Sequence, residues 1–278
     1  NNIKKYIINT SDKLKINSKD IVFGDVFVAL QGNHKHGINY VEEAIAKGAK
    51  YIVTDKSHKK NLFEKKTLFF KNCLFFLTNI AKQKRKLFKG KVIGITGSIG
   101  KTSIKQNLNY FLSPYFKVFS AIKSYNNNLG VIISLSNLNL KAKYAIFELG
   151  TNDFFEIRKL TSIIQPSQVI ISNIFPTHLE KLINTRNVAI EKSDIFNKKY
   201  NPNVETLYFQ MNSKEEKIIN NIAKKQKIKK IIKTGQVGLD CYVKKINKKK
   251  SNYQIDLKIL NKNYSFILDK YEESHITN

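Results

Sequence analysis

Arginine is almost missing from this chain: Arg85, Arg158 and Arg186 are the only three among 49 basic residues. The formal net charge of +28 would ordinarily point to nucleic acid, because clustered cations release counterions from phosphates. The scarce residue, however, is the one that reads guanine edges and forks onto phosphates, while lysine and asparagine are everywhere. A compositional drift toward Lys and Asn explains both excesses, so no specific nucleic-acid partner is expected. Lysine runs such as Lys248-Lys249-Lys250 read as solvated turns and edges. Cysteine is scarcer still. Cys73 and Cys241 stand far apart with no partners at metal spacing, so neither a disulfide framework nor a zinc site is suggested. Long apolar runs are also missing: the densest, from Leu68-Phe69-Phe70 to Leu74-Phe75-Phe76-Leu77, is interrupted by Lys71 and Asn72. No membrane span is expected, Asn1-Asn2-Ile3-Lys4-Lys5 carries no signal-peptide core, and the expected location is cytoplasmic.

What is present suffices for two domains with proper cores, since 42% of the 278 residues are hydrophobic. The chain is organised around Val92-Ile93-Gly94-Ile95-Thr96-Gly97-Ser98-Ile99-Gly100-Lys101-Thr102, an apolar strand that turns through glycines into a lysine, a hydroxyl and a helical pattern. It reads as a phosphate-binding loop. Gly97 and Gly100 let the backbone fold around an anion, Lys101 brings a mobile charge, and Thr102 can hold Mg²⁺ at the helix start. The strict spacing would place a glycine where Ile95 stands, so the match is to the shorter G-x-x-G-K-T form. An ordinary strand-to-helix turn with a surface lysine is the plain alternative.

The expected fold class is α/β: a small N-terminal α/β domain over residues 1–83, then a P-loop parallel-sheet ATPase domain over 84–278 with a short antiparallel meander. In the first domain 26–30 and 51–54 read as strands and 40–47 as a helix. The Phe-rich segment 68–77 reads as a strand leading into a helix at 82–89. In the second, strands are expected at 91–96, 144–149, 168–173, 205–211 and 230–234. Helices are expected at 103–112, 153–163, 187–199 and 214–226. Alternating segments at 241–246, 253–260 and 264–268 form the meander. Glu148 then ends a strand where an acidic residue can take Mg²⁺ beside Thr102, and His178 follows another strand on the same carboxyl edge. Asn126, Asn127 and Asn128 with Gly130 read as an amide-rich turn.

Five ordered stretches are similar to the motifs of the Mur ligase family. They are Ile95-Thr96-Gly97-Ser98-Ile99-Gly100-Lys101-Thr102, Ser124-Tyr125-Asn126-Asn127-Asn128-Leu129-Gly130-Val131, Phe147-Glu148-Leu149-Gly150-Thr151-Asn152, Ser172-Asn173-Ile174-Phe175-Pro176-Thr177-His178-Leu179-Glu180 and Val188-Ala189-Ile190-Glu191-Lys192-Ser193-Asp194-Ile195-Phe196. Asn17-Ser18-Lys19 and Phe23-Gly24-Asp25-Val26-Phe27-Val28-Ala29-Leu30-Gln31-Gly32 resemble the family's N-terminal signature, with Asn17 and Lys19 in place of an acidic residue and an arginine. Within the family the pattern is closest to the branch that joins D-Ala-D-Ala to UDP-N-acetylmuramoyl-tripeptide in peptidoglycan precursor synthesis.

The resemblance implies an ATP-dependent amide ligase, acting through an acyl phosphate with Mg²⁺, and a monomer is expected. Gly97, Ser98, Ile99, Gly100, Lys101, Thr102 and Asn127 would bind ATP, with Lys101, His178 and Lys192 catalytic. Thr102 and Glu148 would hold a first metal ion, and His178 with a carbamylated Lys192 a second. Ser18, Lys19 and Asn127 would contact substrate. The chain stops at Ser274-His275-Ile276-Thr277-Asn278, similar to the start of an H-N-x-x-N segment that contacts adenine, so His275 and Asn278 are carried over as cofactor-binding. A further C-terminal domain is expected to be missing, and with it full turnover. Two other readings stay open: another ligase of the same family, or a non-catalytic basic module that binds nucleotide or nucleic acid.

Overall fold

The computed structural model describes residues 2–32, 34–56, 66–121, 125–211 and 215–269. The chain forms two compact units. One holds the residues up to Gly90 together with Asn128–Lys143, and the other holds Lys91–Asn127 and the residues from Tyr144 onward.

In the first unit α1 (Asn2–Asn9) leads to β1 (Leu14–Lys15), β2 (Val26–Ala29), α2 (Val41–Ala46), β3 (Tyr51–Thr54), β4 (Thr67–Phe69) and α3 (Cys73–Leu87). The described strands pair in parallel in the order β1-β2-β3-β4. All four residues of β2 are buried, which is why its sequence is a continuous apolar run with no alternation. The Phe-rich segment corrects the sequence reading. Its strand is confined to Thr67–Phe69, and Leu74, Phe75, Phe76 and Leu77 are helical. The Asn72 side chain accepts the Phe75 amide at 2.8 Å and starts the helix there. From that start Cys73, Phe76, Leu77, Ile80, Ala81 and Lys84 fall on one buried stripe at helical spacing. Residue 83, the expected domain boundary, lies inside this helix.

The second unit begins with β5 (Lys91–Thr96), the glycine loop, α4 (Lys101–Leu112) and β6 (Val118–Ser120). Next comes α5 (Asn128–Ser136), which packs in the first unit, where the Ser136 hydroxyl donates to the Leu77 carbonyl of α3 at 3.1 Å. Sequence periodicity marks no helix at α5, because all seven residues from Gly130 to Ser136 are buried and leave no polar face. The second unit resumes with β7 (Tyr144–Glu148), α6 (Glu156–Ile164), β8 (Gln168–Ile171), α7 (Leu179–Leu182), α8 (Thr185–Ser193), β9 (Thr206–Met211), α9 (Glu216–Lys225) and β10 (Lys230–Gly235). It ends in the meander β11 (Cys241–Lys248), β12 (Tyr253–Ile259) and β13 (Lys262–Leu268).

Among the described residues these strands form a nine-stranded sheet in the order β13-β12-β11-β10-β9-β8-β5-β7-β6, parallel from β6 through β11. The chain leaves β5 toward β6 and β7 on one side and returns to β8 on the other. This is the kind of switch point where parallel sheets open a binding crevice at their carboxyl ends. Register brings the chemistry there: Ile95 stands opposite Glu148, and Thr96 opposite Ile171.

Candidate active site at the carboxyl edge of the sheet

The glycine loop is fixed by its neighbours before any ligand is considered. A Cβ on Gly97 would collide with the Ser172 hydroxyl, and φ of 143° at Gly97 is open only to glycine. The Ser98 amide donates to the Asn173 carbonyl at 3.0 Å, and the Ile99 amide to Asn173 Oδ1 at 2.9 Å. The Ser98 hydroxyl donates to the Phe175 carbonyl at 3.1 Å and accepts the Phe175 amide at 2.9 Å. Two loop amides expected on phosphate are therefore engaged with the segment after β8. The donors that face an anion are the first-turn amides of α4, which have no partner inside the helix.

Glu148 is the hub of the edge. It is buried, accepts the Thr102 hydroxyl at 2.9 Å and the Asn126 amide nitrogen at 3.0 Å, and pairs with the Lys105 ammonium at 3.5 Å. Asn126 is held by its backbone as well. The Gly150 amide donates to the Asn126 carbonyl at 2.8 Å, and a Cβ on Gly150 would crowd the Asn126 side chain at 3.0 Å. The residue that reaches the acid is thus Asn126, whereas Asn127, expected at phosphate or substrate, is exposed just before α5. The Lys101 ammonium curls back onto its own loop, donating to the Gly97 carbonyl at 2.8 Å and the Ser98 carbonyl at 3.0 Å. Burial lowers its pKa, against the pull of Glu148.

Lys192 is buried on α8. Burial first, and the Lys101 charge second, lower its pKa to about 7, with Glu191 opposing. Glu191 is raised by its own burial, and its carboxylate accepts the Phe155 amide at 2.7 Å and the Ile157 amide at 2.9 Å, which pins α8 to the start of α6. His178 is exposed on the loop after β8 with φ of 56°. Its backbone carbonyl accepts the Leu182 amide at 2.9 Å, while no contact among the described residues ties its imidazole to Thr102, Glu148 or Lys192. His275 and Asn278 lie outside the described residues.

The donor chemistry suits Mg²⁺. A hydroxyl and a carboxylate offer hard oxygens 2.9 Å apart at the helix start. The described residues hold no group of three His, Cys, Asp or Glu side chains able to cage a metal ion, so an ion here would draw most of its ligands from phosphate and water.

The first unit has its own cavity, of about 370 Å³, lined by residues that include Asn17, Ser18, Lys19, Lys35, Tyr40 and Glu43. The Ser18 hydroxyl donates to Glu43 at 2.7 Å, and Asn17 Oδ1 accepts the Lys19 amide at 3.0 Å. Ser18 is therefore buried with its proton committed inside the wall, and Lys19 is left exposed.

Residues 95–270 match the model of the Mur ligase middle domain, and residues 12–95 match that of the Mur ligase family catalytic domain. The chain belongs to the Mur ligase family. A relative from Rickettsia prowazekii (strain Madrid E), named UDP-N-acetylmuramoyl-tripeptide--D-alanyl-D-alanine ligase, is 39% identical over 185 residues, covering 66% of this chain and 41% of the relative. The chain spans about two fifths of the length of the curated relatives it matches. Two solved structures share the fold. A MurF from Acinetobacter baumannii has a TM-score of 0.79 at 24% identity, covering 95% of this chain and 56% of that one. The MurF ligase of Thermotoga maritima in complex with ADP has a TM-score of 0.78 at 20% identity, covering 98% and 61%. No described helix of this Mur ligase chain is long and apolar enough to cross a membrane. Sequence reasoning assigned no role to Lys105 or Asn173, and within the amide-rich turn it chose Asn127 where Asn126 reaches Glu148. Lys105 was open to detection, since Lys101, Thr102 and Lys105 share one helical face.

Proposed function

We propose that this chain carries the substrate-binding and ATP-binding units of a MurF-type ligase, which joins D-alanyl-D-alanine to UDP-N-acetylmuramoyl-tripeptide in peptidoglycan precursor synthesis. One arrangement carries the reading. The Thr102–Glu148 pair sits beside Lys101 at the start of α4, with Lys192 buried close enough to Lys101 for their charges to repel. A site with three buried or part-buried lysines, Lys101, Lys105 and Lys192, against two buried carboxylates, Glu148 and Glu191, suits a polyanion, and a nucleotide triphosphate supplies one.

The proposed reaction balances in two steps. A carboxylate oxygen of the tripeptide attacks the γ-phosphorus, the bond to ADP breaks, and an acyl phosphate forms. The dipeptide amine then attacks the acyl carbon, phosphate leaves with the C–O electron pair, and the nitrogen gives up a proton. Lys101 exchanges its loop carbonyls for phosphate oxygens, and the first-turn amides of α4 add fixed positive dipoles. Asn126 and Lys105 keep Glu148 oriented. Mg²⁺, when bound by Thr102 and Glu148, supplies neutralisation of the phosphate charge. Lys192, once neutral, can add CO₂ with loss of a proton and become a carbamate, a carboxylate-like group on a buried helix, and His178 is the nitrogen donor assigned with it. In the first unit, the cavity at Lys19 and Lys35 receives the uridine diphosphate end of the substrate.

The acyl phosphate is the distinguishing intermediate. Incubating the full-length protein with ATP and the UDP-linked tripeptide, without the dipeptide, and reducing with borohydride is expected to convert the terminal carboxyl to an alcohol. ADP formation with no reduced product would overturn the reading.

A further inference from the structure

Lys105 and Glu148 are 3% and 4% exposed, so an ammonium and a carboxylate meet here almost without water. Burying a lysine head group is costly unless a partner compensates, and Glu148 is placed to do so. The other two groups on the acid, the Thr102 hydroxyl and the Asn126 amide, are neutral. Thr102 and Lys105 approach the same oxygen, Oε2. A divalent ion entering between Thr102 and Glu148 must therefore share that oxygen with an ammonium. Two cations on one carboxylate oxygen repel, and the repulsion is relieved when phosphate oxygens add negative charge to the same place.

We propose that Lys105 is the resident counter-ion of Glu148, a positioning residue that makes divalent-ion binding at Thr102 and Glu148 conditional on the phosphates of the nucleotide. The inference rests on the reading of this edge as a nucleotide site. It describes a coupling between two ligands, in which each raises the affinity of the other. Free Mg²⁺ then binds weakly, Mg²⁺ and nucleotide bind together, and Glu148 stays oriented throughout.

Thermal melting of the chain in MgCl₂ alone, ADP alone and both together tests this. Wild type is expected to respond to the pair and to be indifferent to MgCl₂ alone. Lys105→Met is expected to gain about 5 °C from MgCl₂ alone, as for any ligand held well above its Kd. Lys105→Met/Glu148→Gln is expected to lose that gain. A Lys105→Met protein indifferent to MgCl₂, or one whose response survives Glu148→Gln, overturns the proposal. Should Lys105→Met fail to fold, the double variant decides: recovery of folding supports a paired charge, and a double variant no more stable than the single one contradicts it. If ADP with MgCl₂ leaves wild type unmoved, the nucleotide reading fails, while the coupling between the two side chains is still read from the variants.

Discussion

A lysine that titrates near neutrality changes its chemistry in the range where cells live. Lys192 is at about 7 because burial and the Lys101 charge both disfavour its ammonium. Below that value it is a cation, and above it a nucleophilic amine. Incorporation of ¹³C-labelled bicarbonate, followed by carbon NMR, is expected to rise from pH 6 to pH 8 and to vanish in Lys192→Met; labelling that persists in the variant assigns it elsewhere. Lys19 makes a second prediction. If the first-unit cavity takes a diphosphate, Lys19→Ala raises KM for the UDP-linked substrate by about tenfold, the equivalent of ~1.4 kcal/mol, and leaves KM for ATP alone. An equal rise in both contradicts it. At this scale the order of residues along the strand, the glycine loop and the helix start is what made Thr102 and Glu148 legible as neighbours, and the structure has them 2.9 Å apart. Lys105 was hidden by a composition in which lysine is the commonest residue, and asparagine is abundant enough that the turn at Asn126, Asn127 and Asn128 gave no single candidate. Asn127 was the residue chosen from a triplet that the sequence alone cannot rank.

At the scale of elements, α3 carries the clearest energetic consequence of the fold. Phe76 is 1% exposed on its buried stripe, so Phe76→Ala is expected to cost ~3–5 kcal/mol by urea unfolding, against under ~1 kcal/mol for Phe75→Ala on the exposed side. Lys84 ends the same stripe, donating to the Thr10 carbonyl at 2.6 Å and the Leu138 carbonyl at 3.2 Å, and burial lowers it from 10.5 to about 8. The sign follows from proton counts. Below pH 8 both states bind the proton and the native state bears the full burial penalty. Between 8 and 10.5 the unfolded chain binds a proton that the native state has lost, so this group's contribution to stability rises with pH and levels off above 10.5. Lys84→Met is expected to remove that rise, measured as the difference between the two proteins' urea midpoints from pH 7.5 to 10; parallel curves would contradict it. Strands β2, β5 and β7 are readable because nearly every residue in them is buried and the runs are continuous, whereas β1 and β6, two and three residues long, leave no run to read. Helix α5 leaves no periodicity to read, because Gly130 to Ser136 are buried on every side, and the start of α3 is set by one capping asparagine, Asn72, in a chain rich in asparagine.

For the whole molecule, the +28 charge is the property most open to misreading. Lysines spread over the surface bind polyanions weakly and lose them to salt. A labelled oligonucleotide is therefore expected to dissociate between about 50 and 200 mM salt, and tight binding that survives would favour a nucleic-acid partner. The proposed function puts positive charge to a different use, with Lys101, Lys105 and Lys192 gathered near one carboxyl edge to receive a triphosphate. The most direct test is phosphate release from ATP by the full-length protein, with each substrate omitted in turn. Release that needs both UDP-N-acetylmuramoyl-tripeptide and D-Ala-D-Ala is the expected result; equal release with a single amino acid in place of the dipeptide would contradict the MurF-type assignment.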